Sequence, residues 1–259
     1  MNLICNVRQY YRYLRNLKKI RTRRSKTIEY FRKQLQFYSQ FIKEGDLCFD
    51  IGANIGDKTE VYVKLGAKVV SVEPQQSCWL IIKRRFADNP SVFIEPVVLA
   101  ENEGERTLYV DKSPTISSIS EDWIRAVKES GRFSDSHKWS YKIQVKSLTL
   151  DSLIEKYGKP AFCKIDVEGS EFEVVQGLSQ PVNVLSFEFI PEYLDPVLAC
   201  IDYLSKLGKA EFNYSLTDSA LALPEWINAD NIIDMLQAFS GKSTMQGDIY
   251  VKFPETRKK

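Results

Sequence analysis

The stretch from Leu47 to Glu73 constrains this chain more than any other. An apolar run, Leu47–Ile51, passes directly into Asp50-x-Gly52-x-Asn54-x-Gly56, and a helical run, Thr59–Leu65, follows. Glycines at a strand-to-helix turn let the backbone adopt positive φ and approach a ligand, and the helix start leaves N–H groups free to meet an anion. A second apolar run, Lys68–Val72, ends at Glu73, 23 residues after Asp50. That is about the separation at which an open α/β sheet presents an acid to ribose hydroxyls.

The same alternation continues. Further strand candidates are Val92–Val97, Ala161–Ile165, Val182–Phe187, Glu211–Leu216 and Asp248–Phe253. Helical runs separate most of them, and Gly66, Gly158, Gly177 and Gly208 each follow one, where a C-terminal cap favours glycine. The expected fold is α/β: a doubly wound, mostly parallel seven-stranded sheet of Rossmann-like type. Between about 105 and 147 the rhythm breaks into a strand-like Arg106–Val110, a Ser/Thr-rich turn and a helical Trp123–Lys128, read as an insertion over one end of the sheet. A second interruption runs from Leu221 to Gly247, with a helical Ile232–Phe239.

Charge divides the chain unevenly. Residues 1–45 carry 12 Lys/Arg against two Glu, about +10, while the remainder carries 24 basic and 32 acidic groups, about −8. Residues 1–44 are therefore expected to form a basic amphipathic helical extension, and 45–259 a single catalytic domain. The five cysteines are odd in number and scattered, with Cys48 and Cys163 inside apolar runs, which suits a reducing cytoplasm. No apolar run approaches the roughly 18 residues of a membrane span, and the N-terminus lacks the apolar segment of a secretory signal. The expected compartment is cytoplasmic, with contact at a membrane surface open to the basic extension.

Three groups of residues carry the chemistry. The Asp50–Gly56 turn is the first; a purely structural account makes it a tight turn with Asp57 and Glu60 capping the helix. Glu73 is the second, and its register with the turn raises the ligand-binding account above the structural one. A nicotinamide dinucleotide site would require a second glycine where Asn54 stands, which counts against an oxidoreductase. The third is Lys164-Ile165-Asp166-Val167-Glu168-Gly169-Ser170-Glu171, at the end of the Ala161–Ile165 run, where open α/β sheets place their ligands. Ser170 with Glu173 reads as a capping box, which leaves Asp166 and Glu168 unexplained. Glu188 ends another apolar run and adds an acid to the same rim. Converging carboxylates suit a cationic sulfonium cofactor and a hydroxyl-bearing acceptor.

From about Gly45 to Glu188 the sequence resembles the FkbM-type methyltransferases. The resemblance rests on Phe49-Asp50-Ile51-Gly52-Ala53-Asn54-Ile55-Gly56, Val72-Glu73-Pro74, Ser147-Leu148-Thr149-Leu150-Asp151 and Lys164-Ile165-Asp166-Val167-Glu168-Gly169. It implies a class I methyltransferase fold and S-adenosylmethionine-dependent O-methylation, often of sugars or other hydroxylated small molecules. By position it implies that Asp50, Gly52, Asn54 and Gly56 line the cofactor loop, that Glu73 holds the ribose and that Asp166 lies near the methionine end. Methyl transfer to an alcohol needs alignment in a dry pocket and a base for the hydroxyl proton. Asp166, Glu168 and Glu188 are the catalytic candidates, with His137 in a polar insertion as a weaker one. A Mg²⁺ ion bound by Asp166 and Glu168 requires a third ligand, so metal use is left open. Trp226 and Tyr214 are considered as sugar-stacking aromatics, although buried aromatics near strand ends are commoner.

The acceptor expected is a small molecule or glycan hydroxyl. Alternatives are a methyltransferase acting on protein or nucleic acid, a dinucleotide-binding oxidoreductase and a cofactor-binding protein without catalysis. The basic extension reads as a packing, homodimerisation or peripheral membrane element in preference to a nucleic-acid binder, because it carries no recognised RNA-module signature.

Overall fold

Short apolar runs between glycine-ended helices form strands and helices largely in alternation in the computed structural model, which describes residues 24–239 and 245–254. The strands are β1 (Leu47–Ile51), β2 (Lys68–Val72), β3 (Val92–Glu95), β4 (Val98–Leu99), β5 (Gly104–Val110), β6 (Tyr141–Leu148), β7 (Phe162–Ile165), β8 (Val184–Phe189), β9 (Glu211–Ser215) and β10 (Gly247–Lys252). The helices are α1 (Arg24–Tyr38), α2 (Asp57–Lys64), α3 (Gln76–Arg85), α4 (Glu121–Glu129), α5 (Leu150–Tyr157), α6 (Glu171–Gln176), α7 (Leu194–Leu207) and α8 (Ala229–Gln237). The expected helical extension over residues 1–23 lies outside the described residues. No helix of the described residues is long and apolar enough to cross a membrane.

Seven strands form the main sheet in the order β3-β2-β1-β7-β8-β10-β9. All pairings are parallel except those of β10, which runs antiparallel to β8 and β9. The order reverses between β1 and β7, the switch point beyond whose carboxyl ends ligands bind in such sheets. A smaller sheet, β4-β6-β5, pairs β5 and β6 antiparallel, with α4 between them in sequence. The apolar run Val92–Val97 is divided between the two sheets. Pro96, which has no N–H to donate, separates β3 from β4, and Val98 pairs with Ser147 of β6.

Strand periodicity sends alternate residues to opposite faces. Phe49, Ile51, Val70, Val72, Cys163 and Ile165 pack into the larger core with residues of α5, α6, α7 and α8. The other face is apolar only toward the amino ends of the strands, where Cys48, Val69, Phe162 and Tyr250 meet Phe37, Tyr38, Val61 and Tyr62. Its aromatic rings pack edge-on and stacked, Tyr38 on Phe162 at 5.6 Å and Phe41 on Tyr250 at 5.4 Å between centroids. Toward the carboxyl ends the same face turns polar: Asp50, Ser71, Lys164, Ser186 and Asp248 are all buried there.

Two expected caps are replaced. Gly56, at φ 82°, stands at the N-cap of α2 without a side-chain bond, and Asp57 and Glu60 instead pair with Arg85 at 2.8 and 2.6 Å. Ser170 makes no capping bond to α6, and its Oγ is buried without a partner. The acid that acts at this turn is Glu171, which bonds the loop ahead of the helix: its Oε1 accepts from Val167 N at 3.1 Å and Gly169 N at 3.2 Å.

Gly52 sits where β1 and β7 come closest. Its φ is 80°, and a Cβ there would lie 1.8 Å from the Asp166 carbonyl oxygen. Gly45 has a similar φ of 87°, but a Cβ there would meet nothing within 4 Å. Gly45→Ala should therefore cost about 1–2 kcal/mol, the left-handed backbone penalty alone. Gly52→Ala adds a backbone collision and should cost on the order of 3 kcal/mol or more, read as the difference in urea midpoint. Equal losses in the two variants would contradict the close approach.

Candidate active site

The cleft opens at the switch point. Its floor is the turn after β1, whose Gly52 N and Ala53 N both donate to Val72 O, at 2.9 and 3.0 Å, while Asp166 N donates to Ile51 O at 3.0 Å. These bonds hold the carboxyl ends of β1, β2 and β7 against one another. Asn54 takes φ 49° in this turn. Asparagine tolerates the left-handed region, which is how the turn forms without a second glycine.

Glu73 is buried at the end of β2 with both carboxylate oxygens occupied: Asn54 N donates to one at 2.9 Å and Gln75 N to the other at 2.8 Å. Burial pushes its carboxyl up to about 8 despite the two N–H donors, which pull it down. Glu73, Gly52 and Asn54 line the cleft with Asp166 and Glu168. Val72, Val97, Val98, Leu99 and Leu108 make an apolar wall, and Pro114, Thr115, Ser117 and Ser118 of the segment between β5 and α4 close the other side.

Gln75 joins the two sides, and nothing in the sequence marked it. Its Nε2 donates to Pro114 O at 2.9 Å, and its Oε1 accepts from Ser117 Oγ at 3.1 Å. Ser118 Oγ donates to Glu168 O at 2.6 Å, and Trp123 of α4 packs on Gly169, where a Cβ would come within 2.2 Å of the indole. Glu168 itself has φ 56°, a strained conformation for a residue with a side chain, of the kind that collects at functional sites.

Two of the sequence-selected cofactor residues stand back from the cleft. The Asp50 carboxylate turns to the α2 face, where Thr59 Oγ1 donates to it at 2.6 Å and burial raises it to about 6. Gly56 contacts Ile82 and Phe86 and serves the start of α2. His137 is held by Asp111, Nδ1 to Oδ1 at 2.8 Å. Trp226 and Tyr214 do not line the cleft: Trp226 lies under Lys252, and Tyr214 packs against Phe239.

The three catalytic candidates do come together. One carboxylate oxygen from each of Asp166, Glu168 and Glu188 lies within 4.8 Å of the others, all three half-buried. Burial first, and then repulsion, from Glu188 at Glu168 and from Asp166 at Glu188, hold both groups well above the ordinary carboxylate range. Lys164 is the counter-charge, its Nζ 3.2 Å from Asp166 and 2.9 Å from Asp248. Such a trio can accept hydrogen bonds from a polyol, take up a proton, or share one divalent cation, with Glu188 supplying the third oxygen donor.

Residues 50–215 match the family model described as the methyltransferase FkbM domain. No curated protein matches the chain by sequence. Among solved structures, precorrin-6Y C5,15-methyltransferase from Geobacter metallireducens superposes with a TM-score of 0.43 at 9% identity, over 85% of this chain and 87% of that one. An rRNA methylase from Streptococcus thermophilus gives 0.42 at 11% identity, over 85% and 93%.

The buried Glu73 makes stability depend on pH in a defined direction. Its carboxyl titrates near 8 in the fold against 4.5 in the open chain, so between these values the folded state holds a proton that the unfolded state has lost. The contribution of Glu73 to the stability of the unliganded protein should then be fully present below 4.5 and be lost as pH rises to about 8. Glu73→Gln removes this contribution, so its denaturation midpoints should decline less steeply than those of wild type over that window. Parallel curves would show that Glu73 is ionised in the free protein.

Proposed function

Because the chain belongs to the FkbM methyltransferase family, we propose that it methylates a hydroxyl of a sugar, glycan or other hydroxylated small molecule, with S-adenosylmethionine as donor. The observation that carries the hydroxyl acceptor is the convergence of Asp166, Glu168 and Glu188 within 4.8 Å. The basic side chain at this rim, Lys164, is buried and already paired with Asp166 and Asp248 rather than open to a phosphodiester backbone.

The cleft has the chemistry to fit the donor. Its apolar wall of Val97, Val98, Leu99 and Leu108 suits a flat purine, Glu73 offers carboxylate oxygens to a ribose, and Asp166 and Glu168 offer negative charge to the cationic end. The buried Ser170 Oγ, unpartnered beside that end, is a further polar group for it. S-adenosylmethionine supplies a methyl carbon that its sulfonium already activates toward displacement.

The protein then has two tasks. One is alignment, because an in-line displacement depends on holding the acceptor oxygen behind the methyl carbon away from water. The Gln75 clamp and Ser118 fix the wall that does so. The other is removal of the hydroxyl proton. The proton released from the acceptor hydroxyl on methyl transfer would pass to a carboxylate oxygen of Glu168 or Glu188. Burial and the surrounding carboxylates raise the proton affinity of both groups, which strengthens them as proton acceptors. Lys164 pairs with Asp166, which leaves the two glutamates as the proton acceptors.

Transfer of labelled methyl from S-adenosylmethionine to a panel of hexoses and sugar nucleotides tests this reading. Glu168→Gln and Glu188→Gln should each lower kcat by roughly 10²–10⁴-fold. Glu188→Gln, whose residue is not part of the donor-facing lining, should keep the thermal stabilisation that S-adenosylhomocysteine confers, about 2.7 kcal/mol at 100 times its dissociation constant. Undiminished turnover in both variants, or methylation of RNA with none of sugars, would overturn the assignment.

A further inference from the structure

We propose that a cationic groove on the outer face of the cleft wall binds a small saccharide that carries a phosphate or a carboxylate. The inference goes beyond the hydroxyl-acceptor reading, since the groove shares no lining residue with the cleft and takes its ligand on the other side of the wall. The groove lies between α4 and the β5–β6 ladder and is lined by Arg125, Lys128, Lys138 and Lys142 with Tyr109 and Trp139. Its volume of about 550 Å³ falls within the roughly 300–1,000 Å³ of small-molecule sites.

Charge here runs against the rest of the domain. Residues 46–259 sum to about −8, yet four cations line the groove against the carboxylates of Glu121 and Glu129. Arg125 pairs with Asp122 at 2.5 Å. Among the described residues, Lys128, Lys138 and Lys142 form no ion pair with a carboxylate, and all three are exposed. Two of them are nonetheless held in place. The ladder sets Lys142 directly opposite Tyr109, and its Nζ lies 4.7 Å from the ring centroid; Lys128 Nζ lies 5.1 Å from that of Trp139. A cation held over a ring keeps N–H donors free for an oxyanion, and the half-buried Tyr109 gives a sugar apolar surface beside them. The interspersed acids Glu121, Asp122 and Glu129 disfavour an extended polyanion such as RNA or an anionic bilayer.

The floor of the groove is strained. Trp139 has φ 44°, an outlier for so bulky a side chain, and such strain persists where surrounding contacts enforce it. Here the enforcing group is Asp111, buried, whose Oδ2 accepts from Lys138 N at 2.9 Å and Trp139 N at 3.3 Å. The indole Nε1 donates to Ile116 O at 2.6 Å. The other oxygen of Asp111 accepts from Ser113 N at 2.8 Å, at the start of the segment whose Pro114, Thr115, Ser117 and Ser118 face the cofactor cleft. One carboxylate thus fixes both the groove floor and the cleft wall, so a ligand that orders the groove also orders the wall.

Titration of the full chain with glucose 1-phosphate, glucuronate, glucose and inorganic phosphate, followed by calorimetry and tryptophan fluorescence, decides the matter. Glucose 1-phosphate and glucuronate should bind while glucose does not. The double variant Lys128→Ala, Lys142→Ala should weaken both by about tenfold or more, the loss that removal of a charge-assisted hydrogen bond produces. Lys138→Ala provides an independent second variant expected to weaken binding in the same sense. Stabilisation by S-adenosylhomocysteine should be unchanged in all of them, and its absence from wild type would strike the donor assignment rather than the groove. Binding of the acidic sugars that is absent in wild type or unaltered by the variants overturns the proposal. So does inorganic phosphate binding as tightly as glucose 1-phosphate, which would make this a bare anion site.

Discussion

The contact on which the rest of this structure depends is the meeting of two backbones at the switch point, Gly52 after β1 against the Asp166 carbonyl after β7. A side chain at position 52 would occupy the space of that carbonyl. Because the chain can close there, the three strand ends lock through Gly52 N, Ala53 N and Asp166 N. Glu73, Asn54, Asp166 and Glu168 then line one cleft, although 114 positions of sequence separate Asn54 from Glu168. Rigidity at the junction is what lets short side chains serve as fixed ligands.

Electrostatics at this end of the sheet are set by burial. Carboxylates removed from water resist ionisation unless donors or cations reach them, and the groups here are served unequally. Asp166 has the Lys164 ammonium, Glu171 has two loop amides, and Glu73 has two backbone N–H groups. Glu168 and Glu188 have chiefly acidic neighbours, Glu188 beside the first and Asp166 beside the second, which raises their proton affinity. A single rim therefore holds a salt-bridged carboxylate and a pair of raised proton affinity side by side, the division of labour that the proposed transfer to a hydroxyl calls for. Lys164 is worth its own burial only in combination with Asp248 and Asp166, since an unpaired ammonium in that position would be expelled or neutralised.

The small sheet and α4 complete what the main sheet leaves open. Gln75 ties their segment to the loop after Glu73, Ser118 and Trp123 tie it to the turn at Glu168 and Gly169, and Asp111 gathers its own ends. The wall consequently has fasteners on both strand ends that carry the cofactor-facing acids. Arg132 adds a bidentate pair to Glu192, at 2.8 and 2.7 Å, joining the segment after α4 to the turn beyond β8.

The sequence by itself determined the alternation of strands and helices, because period-two and period-3.6 hydrophobic patterns and glycine stops are local properties. The strand candidates of the main sheet reappear close to their expected limits, and Val92–Val97 divides only because Pro96 interrupts the ladder. The motif residues at strand ends were legible too, since Gly52, Glu73 and Lys164–Gly169 each announce a turn at a carboxyl end. Tertiary structure alone decided which way those side chains turn. Asp50 and Ile51 are adjacent, yet pleating sends the first to Thr59 under α2 and the second to the cleft. Ser170 and Glu173 spell a capping box, but Glu171 takes the loop amides because it is buried against them. The convergence of Glu188 with Asp166 and Glu168, the Gln75 clamp and the shared hold of Asp111 join residues 20 to 42 positions apart in the chain. Such pairings follow from which strands become neighbours, a property of the folded sheet that no local window contains.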